Sequence, residues 1–269
     1  MIFMGNIERG YDVFGNIVIV KFGRGTKSRE KKKFALRFLQ EHKNVRSVLE
    51  KSEKFSGRLR TQKTKHLAGE KTKEALYREN GCLFRLNVDS CYFSPRLSSE
   101  RGEVAGMVKK GEKVLVLFGG VAPFAVCIGK MSKAEKIVSV ELGRECNKYA
   151  LENVKRNKLG GKVEIVQGDV RRILKKWGKG KKTERYDRII MARPNLKDSF
   201  LDAVFPFVKK GGMIHYYGFY PEDEKEKLNE LILEEAKKAG RKIKILRIKK
   251  AGEIGVKKFR YRADLKVLN

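Results

Sequence analysis

Metal-ligand patterns are missing from this chain. Its four cysteines (Cys82, Cys91, Cys127 and Cys146) form no CxxC pair, and its three histidines (His42, His66 and His215) are scattered. That spacing argues against a zinc site, and reduced thiols are the expectation for all four cysteines. No apolar run approaches the length of a membrane span, and the N-terminus lacks the apolar stretch of a signal peptide. The expectation is therefore a protein of the cytoplasm with no membrane partner and no metal, working as a monomer. No repeat recurs at solenoid periods. Acidic residues are few beside basic ones: 32 Asp and Glu against 63 Lys and Arg, a net charge of +31.

That imbalance is informative. So basic a chain strains its own compact state by self-repulsion, and a polyanion relieves the strain. Nucleic acid is the first partner this implies and an anionic membrane surface the second. A hydrophobic content of 41% over 269 residues supports a real core and argues against wholesale disorder.

The first part of the chain reads as a small α+β unit. Residues 16–22 are rich in β-branched types and predict a strand. A turn over 23–28 follows, then a helix over 29–41 with Phe34, Ala35, Phe38 and Leu39 at helical spacing. A short strand is expected over 45–49. Residues 51–73 carry many Lys and Arg and few apolar anchors, which reads as an exposed basic loop or ribbon. Residues 82–88 alternate as a strand. From about residue 97 helices and strands alternate, the pattern of a parallel α/β sheet. Strands are expected over 114–118, 137–141, 163–166, 186–191 and 212–217. Helices are expected over 97–109, 122–131, 145–157, 170–177 and 198–208. A charged helix over 222–239 and two late strands near 242–249 and 258–267 close the chain, the late pair as an antiparallel edge.

Ligands of open α/β sheets bind at the carboxyl ends of the strands, and three candidate sites fall there. After the first strand comes Phe118-Gly119-Gly120, where glycine lets the backbone approach a ligand. Glu141 ends the second strand, and a carboxylate there can accept from both ribose hydroxyls. Asp169 follows the third strand, able to accept from an adenine amino group with Val170 beside it. Each has a purely structural alternative. The glycines can be a tight turn, and either acid can be a helix N-cap or first-turn acid. A GxGxxG turn with a diphosphate-holding helix is lacking, which argues against a nicotinamide dinucleotide. S-adenosylmethionine, which carries no phosphate, fits better.

At this point several segments resemble one family. Tyr92-Phe93-Ser94-Pro95-Arg96-Leu97-Ser98-Ser99-Glu100-Arg101 is similar to the signature of the archaeal and eukaryotic tRNA (guanine-37-N1) methyltransferases. Leu117-Phe118-Gly119-Gly120-Val121-Ala122-Pro123-Phe124 resembles that family's first cofactor loop. Residues 153–159 and 212–217 look like further family segments. Upstream, 56–61, 68–70 and 78–82 resemble its middle domain. The resemblance implies an α/β fold: a class I Rossmann-like methyltransferase sheet over 83–269, preceded by a small α+β RNA-binding domain over 1–82. It implies S-adenosylmethionine as cofactor and the anticodon stem-loop of tRNA as partner. The wybutosine-pathway aminocarboxypropyl transferases share this architecture and cofactor. Their corresponding segment usually lacks the Arg-Leu after Ser-Pro.

The resemblance also implies roles. Glu100 is the expected base for the guanine N1 proton, and Arg60 the guanidinium that meets charge developing on O6. Tyr92 is expected beside the target base. Arg101, Phe118, Gly120, Glu141, Leu142, Asp169 and Val170 are expected to hold the cofactor, and Arg193, Pro194 and Asn195 the target base. Read without it, Glu100 and Arg101 are an ordinary charged first helical turn, Arg60 a phosphate contact and Tyr92 core packing. Three positions depart from the family pattern. Val116 stands where the family has an Asp, Ala122 where it has the second glycine of the loop, and Ala192 where it has the Asn of an Asn-Leu-Pro motif. The role of that Asn passes to Arg193 or Asn195 or is lost. The family's extra N-terminal tRNA-elbow domain is expected to be missing.

Overall fold

The computed structural model describes residues 10–52, 57–180 and 183–269; Ser56, which opens one segment of the resemblance, and residues 53–55 of the basic stretch lie outside them. The amino-terminal unit is a four-stranded sheet in the order β1-β2-β3-β4. β1 (Tyr11–Phe14) runs antiparallel to β2 (Ile17–Val20), and α1 (Ser28–Glu41) then crosses over to β3 (Ser47–Lys51), parallel to β2. All four residues of β2 are buried. Val18 and Val20 face α1 through Ala35 and Phe38, whereas Ile17 and Ile19 face the main core of the molecule. A strand covered on both faces reads as a continuous apolar run, which is why this element was visible in the sequence. β4 (Thr64–Gly69) pairs antiparallel with β3. The sequence suggested only a basic loop or ribbon there, because only Thr64 and Ala68 of the six residues of β4 are buried and only Leu67 of the rest packs on the core of the small unit.

β5 (Glu74–Glu79) and β6 (Cys82–Asn87) form a hairpin. Its turn residues, Asn80 and Gly81, both have positive φ, as a two-residue hairpin with right-handed strand twist requires. A domain division at 82/83, expected from the sequence, would fall one residue into β6 and separate the two strands of this hairpin. The hairpin docks on α4 (Arg144–Arg156) by an unusual device. Asn153 and the C-cap residue Asn157 each grip one residue of β6: Asn153 Oδ1 accepts from Arg85 N at 2.7 Å, and Asn157 Oδ1 accepts from Leu83 N at 2.9 Å. Each Asn amide also donates to the carbonyl of the same residue. The two side chains thus stand in for a neighbouring strand at an edge that would otherwise be bare. The four-stranded unit touches the hairpin at Gly15, whose missing Cβ would fall 1.8 Å from Leu76 O, so only glycine fits.

The second sheet has seven strands in the order β12-β13-β11-β10-β7-β8-β9. β7 (Lys113–Leu117), β8 (Lys136–Glu141), β9 (Val163–Gln167), β10 (Tyr186–Met191) and β11 (Val208–Pro221) are parallel. β13 (Lys258–Val267) inserts antiparallel between β11 and β12 (Ile243–Gly255), the edge pair that was expected. Alternate residues of β7 enter different cores. Val114 and Val116 join the core with α2 (Ser98–Gly106), α3 (Pro123–Met131) and α4, and Leu115 and Leu117 join the core with α5 (Val170–Gly178), α6 (Leu201–Val204) and α7 (Glu226–Lys238). The helix expected over 198–208 is only the four-residue α6, followed by a 3-10 turn over Phe205–Phe207; Pro206 has no N–H to continue it. Strand order reverses between β7 and β10, so the crevice for a ligand opens at their carboxyl ends.

Candidate functional site

A single cavity occupies that crevice. Arg60 and Tyr92 line it from the chain before the sheet; Arg101, Phe118, Gly120, Glu141, Leu142, Asp169, Val170, Arg193 and Pro194 line it from the sheet side. Arg58, Phe200, Tyr217 and Arg260 line it too, and no sequence argument had singled them out. Two expected residues do not: Glu100, and Asn195, which is exposed.

The turn after β7 is contorted. Phe118, Gly120 and Ala122 all have positive φ, at 60°, 57° and 65°. A Cβ on Gly119 would fall 2.2 Å from Ser139 Oγ, so the missing side chain leaves room for that hydroxyl as it stands. Glu141 braces the same turn, accepting from Gly120 N at 2.8 Å and from Gly143 N at 2.7 Å, one bond to each oxygen. It does not cap α4, whose N-cap is Gly143. Asp169 does two things. Oδ1 caps α5 by accepting from Arg172 N at 3.0 Å, and Oδ2 pairs with Arg58, reaching in from the loop that follows β3. Both readings of this residue, cap and ligand, remain physically compatible.

The guanidinium groups are more committed than the sequence implied. Arg101 is buried; it forks onto Glu79, donates to Ser94 O at 3.0 Å and lies over the Phe93 ring. Arg193 is buried as well and holds the loop after β10, donating to Leu196 O and, at 2.7 Å, to Asp198 O. The Arg60 guanidinium lies 4.7 Å from the centroid of the Tyr92 ring, and the Tyr92 hydroxyl accepts from Arg260 at 3.2 Å.

Glu100 belongs to a buried chain of polar groups that runs beside the cavity. Its Oε1 accepts from Tyr217 Oη at 2.8 Å and from Arg262 at 2.6 Å, and Lys249 lies 3.2 Å from Oε2. Arg262, with no exposed surface, also bonds Asp264 at 2.8 Å and Glu103 at 2.7 Å. Asp264 accepts from His215 Nδ1 at 2.6 Å, and His215 Nε2 accepts from Arg188 at 2.6 Å. Arg188 in turn is clamped by Glu112 at 2.7 Å and 3.0 Å. Arginine can only donate, so Nε2 is unprotonated and the Nδ1–H faces Asp264. Burial pushes the His215 pKa down, in keeping with that neutral ring. Burial opposes the charge on Asp264, but His215 and Arg262 outweigh it and hold its carboxyl below the usual range. The Tyr217 phenol is pushed well up, first by burial and then by the Glu100 charge.

Among the described residues no group of His, Cys, Asp and Glu is placed to hold a metal, all four cysteines are free and buried, and no helix is long and apolar enough to cross a membrane.

Comparison with known proteins adds to this geometry. A family model described as the TRM5/TYW2 methyltransferase domain matches residues 75–246, and one described as the TYW2 N-terminal domain matches residues 3–72, so the two meet just ahead of the β5–β6 hairpin. The chain is 37% identical over 241 residues to the tRNA (guanine(37)-N(1))-methyltransferase Trm5b of Pyrococcus abyssi, covering 89% of this chain and 69% of that protein. It is 33% identical to the tRNA (guanine(37)-N(1))/4-demethylwyosine(37)-methyltransferase Taw22 of Nanoarchaeum equitans, over 95% of this chain and 98% of that one. The crystal structure of Trm5b from Pyrococcus abyssi matches with a TM-score of 0.84 at 34% identity, over 97% of this chain and 75% of that chain.

Proposed function

The chain belongs to the TRM5/TYW2 methyltransferase family, and on that premise we propose that it transfers a methyl group from S-adenosylmethionine to N1 of the guanine 3′ of the anticodon in tRNA. One arrangement carries the reading: a single cavity sets Arg60 and Tyr92, from outside the sheet, against Glu141 and Asp169 at the ends of its strands.

The residues present fit the cofactor. A Cβ on Gly120 would meet only Tyr92 O, at 3.7 Å, so the missing side chain leaves room on the cavity wall. Glu141 would hold the ribose hydroxyls and Asp169 the adenine amino group. Phe118, Leu142 and Val170 would cover the adenine faces, and Arg101 would fix the wall behind them through Glu79. When bound, S-adenosylmethionine supplies a methyl group on a sulfonium, open to in-line displacement. The protein's part is to position the target base and to deal with its proton and charge. Arg60 would meet O6 as negative charge builds there, held flat by the Tyr92 ring. Pro194 would shape the pocket for the base; Arg193 would support it by holding the loop, and Asn195 stands too exposed to take over from the absent Asn. The target base must leave its stack to enter. The small unit carries exposed Lys32 and Lys33 on α1 and would contribute phosphate contacts.

A second reading is transfer of the aminocarboxypropyl chain of the same cofactor. The match of residues 3–72 to the TYW2 N-terminal domain favours it, as does Ala192 at the position of the absent Asn. A transfer assay on unmodified tRNA decides, using one cofactor batch labelled in the methyl group and another labelled in the aminocarboxypropyl chain. Label in tRNA from the methyl batch alone supports the proposal. Label from the other batch alone refutes it.

A further inference from the structure

If the chain methylates guanine N1, something on the cavity wall must take the N1 proton, and Glu100 is not on that wall. Tyr217 is. It lies in β11 just past the last residue paired with β10, opposite Arg262 of β13, lines the cavity and donates its hydroxyl proton to Glu100 Oε1 at 2.8 Å. We propose that Tyr217 is a catalytic residue of this site: its hydroxyl meets the target base and relays the N1 proton to Glu100. The inference rests on the methyl-transfer reading above.

The surroundings of Tyr217 support a relay. A hydroxyl is one donor and two acceptors, so with its proton given to Glu100 it can still accept one. Phe124 packs on its ring at 5.8 Å, so α3 holds the ring, and the Arg193 guanidinium bonds its backbone carbonyl at 3.4 Å, so the loop after β10 holds the strand that carries it. Behind it, Arg262 and Lys249 lie against Glu100, and Asp264 and His215 fix Arg262. In the relay the N1–H bond breaks and its proton goes to Tyr217 Oη. The original hydroxyl proton passes to Glu100 Oε1. The electron pair left on N1 forms the bond to the methyl carbon as that carbon's bond to sulfur breaks, leaving a neutral thioether. Tyr217 ends as a neutral phenol and Glu100 as a carboxylic acid, which loses its proton to solvent before the next turnover.

The test compares wild type with Tyr217→Phe, Glu100→Gln and the double variant in single-turnover methyl transfer to tRNA, in H2O and D2O. Thermal melts and calorimetric binding of cofactor and tRNA accompany each protein. The relay predicts that each single variant loses about 10²-fold or more in rate and that the double loses no more than either single. Both affinities should stay near wild type in all three; Tyr217→Phe, which keeps every charge, should also melt near wild type, whereas Glu100→Gln leaves buried Arg262 short of one carboxylate and should melt lower while remaining folded. The solvent isotope effect should show two protons in flight in wild type and fewer in Tyr217→Phe, whose rate should recover as rising pH ionises the base without help. A full rate in Tyr217→Phe with a dead Glu100→Gln would overturn the relay and make Glu100 act directly. Multiplying losses in the double variant would also overturn it. Absence of any methyl transfer by wild type would instead sink the functional reading beneath it, and the relay with it.

Discussion

The two ends of the cavity hold their charges in different ways. At the ends of β8 and β9 the carboxylates of Glu141 and Asp169 accept from backbone N–H groups two to 21 residues away, and they stay on the cavity wall. At the other end Glu100 is locked among Tyr217, Arg262 and Lys249, which lie 117 to 162 residues away, and sits behind the wall. The backbone bonds of the first arrangement need only neighbouring strand ends and their turns, and Arg58 alone reaches Asp169 from 111 residues away. The second needs three strands of the sheet's far edge, since β11, β12 and β13 supply Tyr217, Lys249 and Arg262. One end is therefore built locally and open to a ligand; the other is built globally and closed.

This contrast can be broken most forcefully at Arg262. It bridges two buried carboxylates, so Arg262→Met leaves Glu100 and Asp264 without their shared cation. Removing one partner of a buried ion pair costs about 3–5 kcal/mol. The denaturant midpoint should fall accordingly; an unchanged midpoint would mean that the base end is no more tightly integrated than the cofactor end. Acid should probe the same network. His215 has its pKa pushed down by burial from an ordinary value of 6.5, whereas the unfolded chain titrates there. The unfolded state thus binds the extra proton first, so stability is full above 6.5 and declines as pH falls below it. The slope from this one group is at most about 1.4 kcal/mol per pH unit. It should vanish in His215→Phe, measured by chemical denaturation across that range.

Smaller effects belong to the cofactor end. Asp169→Asn keeps an oxygen to cap α5 but loses the second carboxylate oxygen. Calorimetry should show cofactor affinity weakened about tenfold, the loss of roughly one hydrogen bond, with the melting temperature unchanged. A lower melting temperature with unchanged affinity would make Asp169 a cap and nothing more. Ala122→Gly should change stability by less than about 1 kcal/mol. It relieves a left-handed alanine but loosens the unfolded chain, and the two effects oppose each other.

The same contrast explains what could be read from the sequence. Val114 to Leu117, Glu141 and Asp169 were legible because strand, strand end and following turn are contiguous. The parallel sheet and its antiparallel edge pair followed from the alternation of helices and strands, whereas the order of the seven strands did not. Glu100 was found by its resemblance to a family segment, but its seat behind Tyr217 was not, since nothing near residue 100 announces Arg262 or Lys249. Tyr217 itself lay in a segment of the resemblance and read only as strand. β1, β4 and β5 escaped because short, half-exposed strands at sheet edges and hairpins carry little periodicity. Asn153 and Asn157 lay in a segment of the resemblance and in an expected helix, and no role was read for either. Their service as a surrogate strand for β6 becomes visible only when the hairpin is in place.

The most direct measurement is the identity of the modified nucleoside. Unmodified tRNA incubated with the protein and S-adenosylmethionine would be digested and its nucleosides separated by mass spectrometry. The account predicts N1-methylguanosine, arising from the guanosine 3′ of the anticodon. A nucleoside carrying the aminocarboxypropyl chain, or a methyl group on another atom, would contradict it.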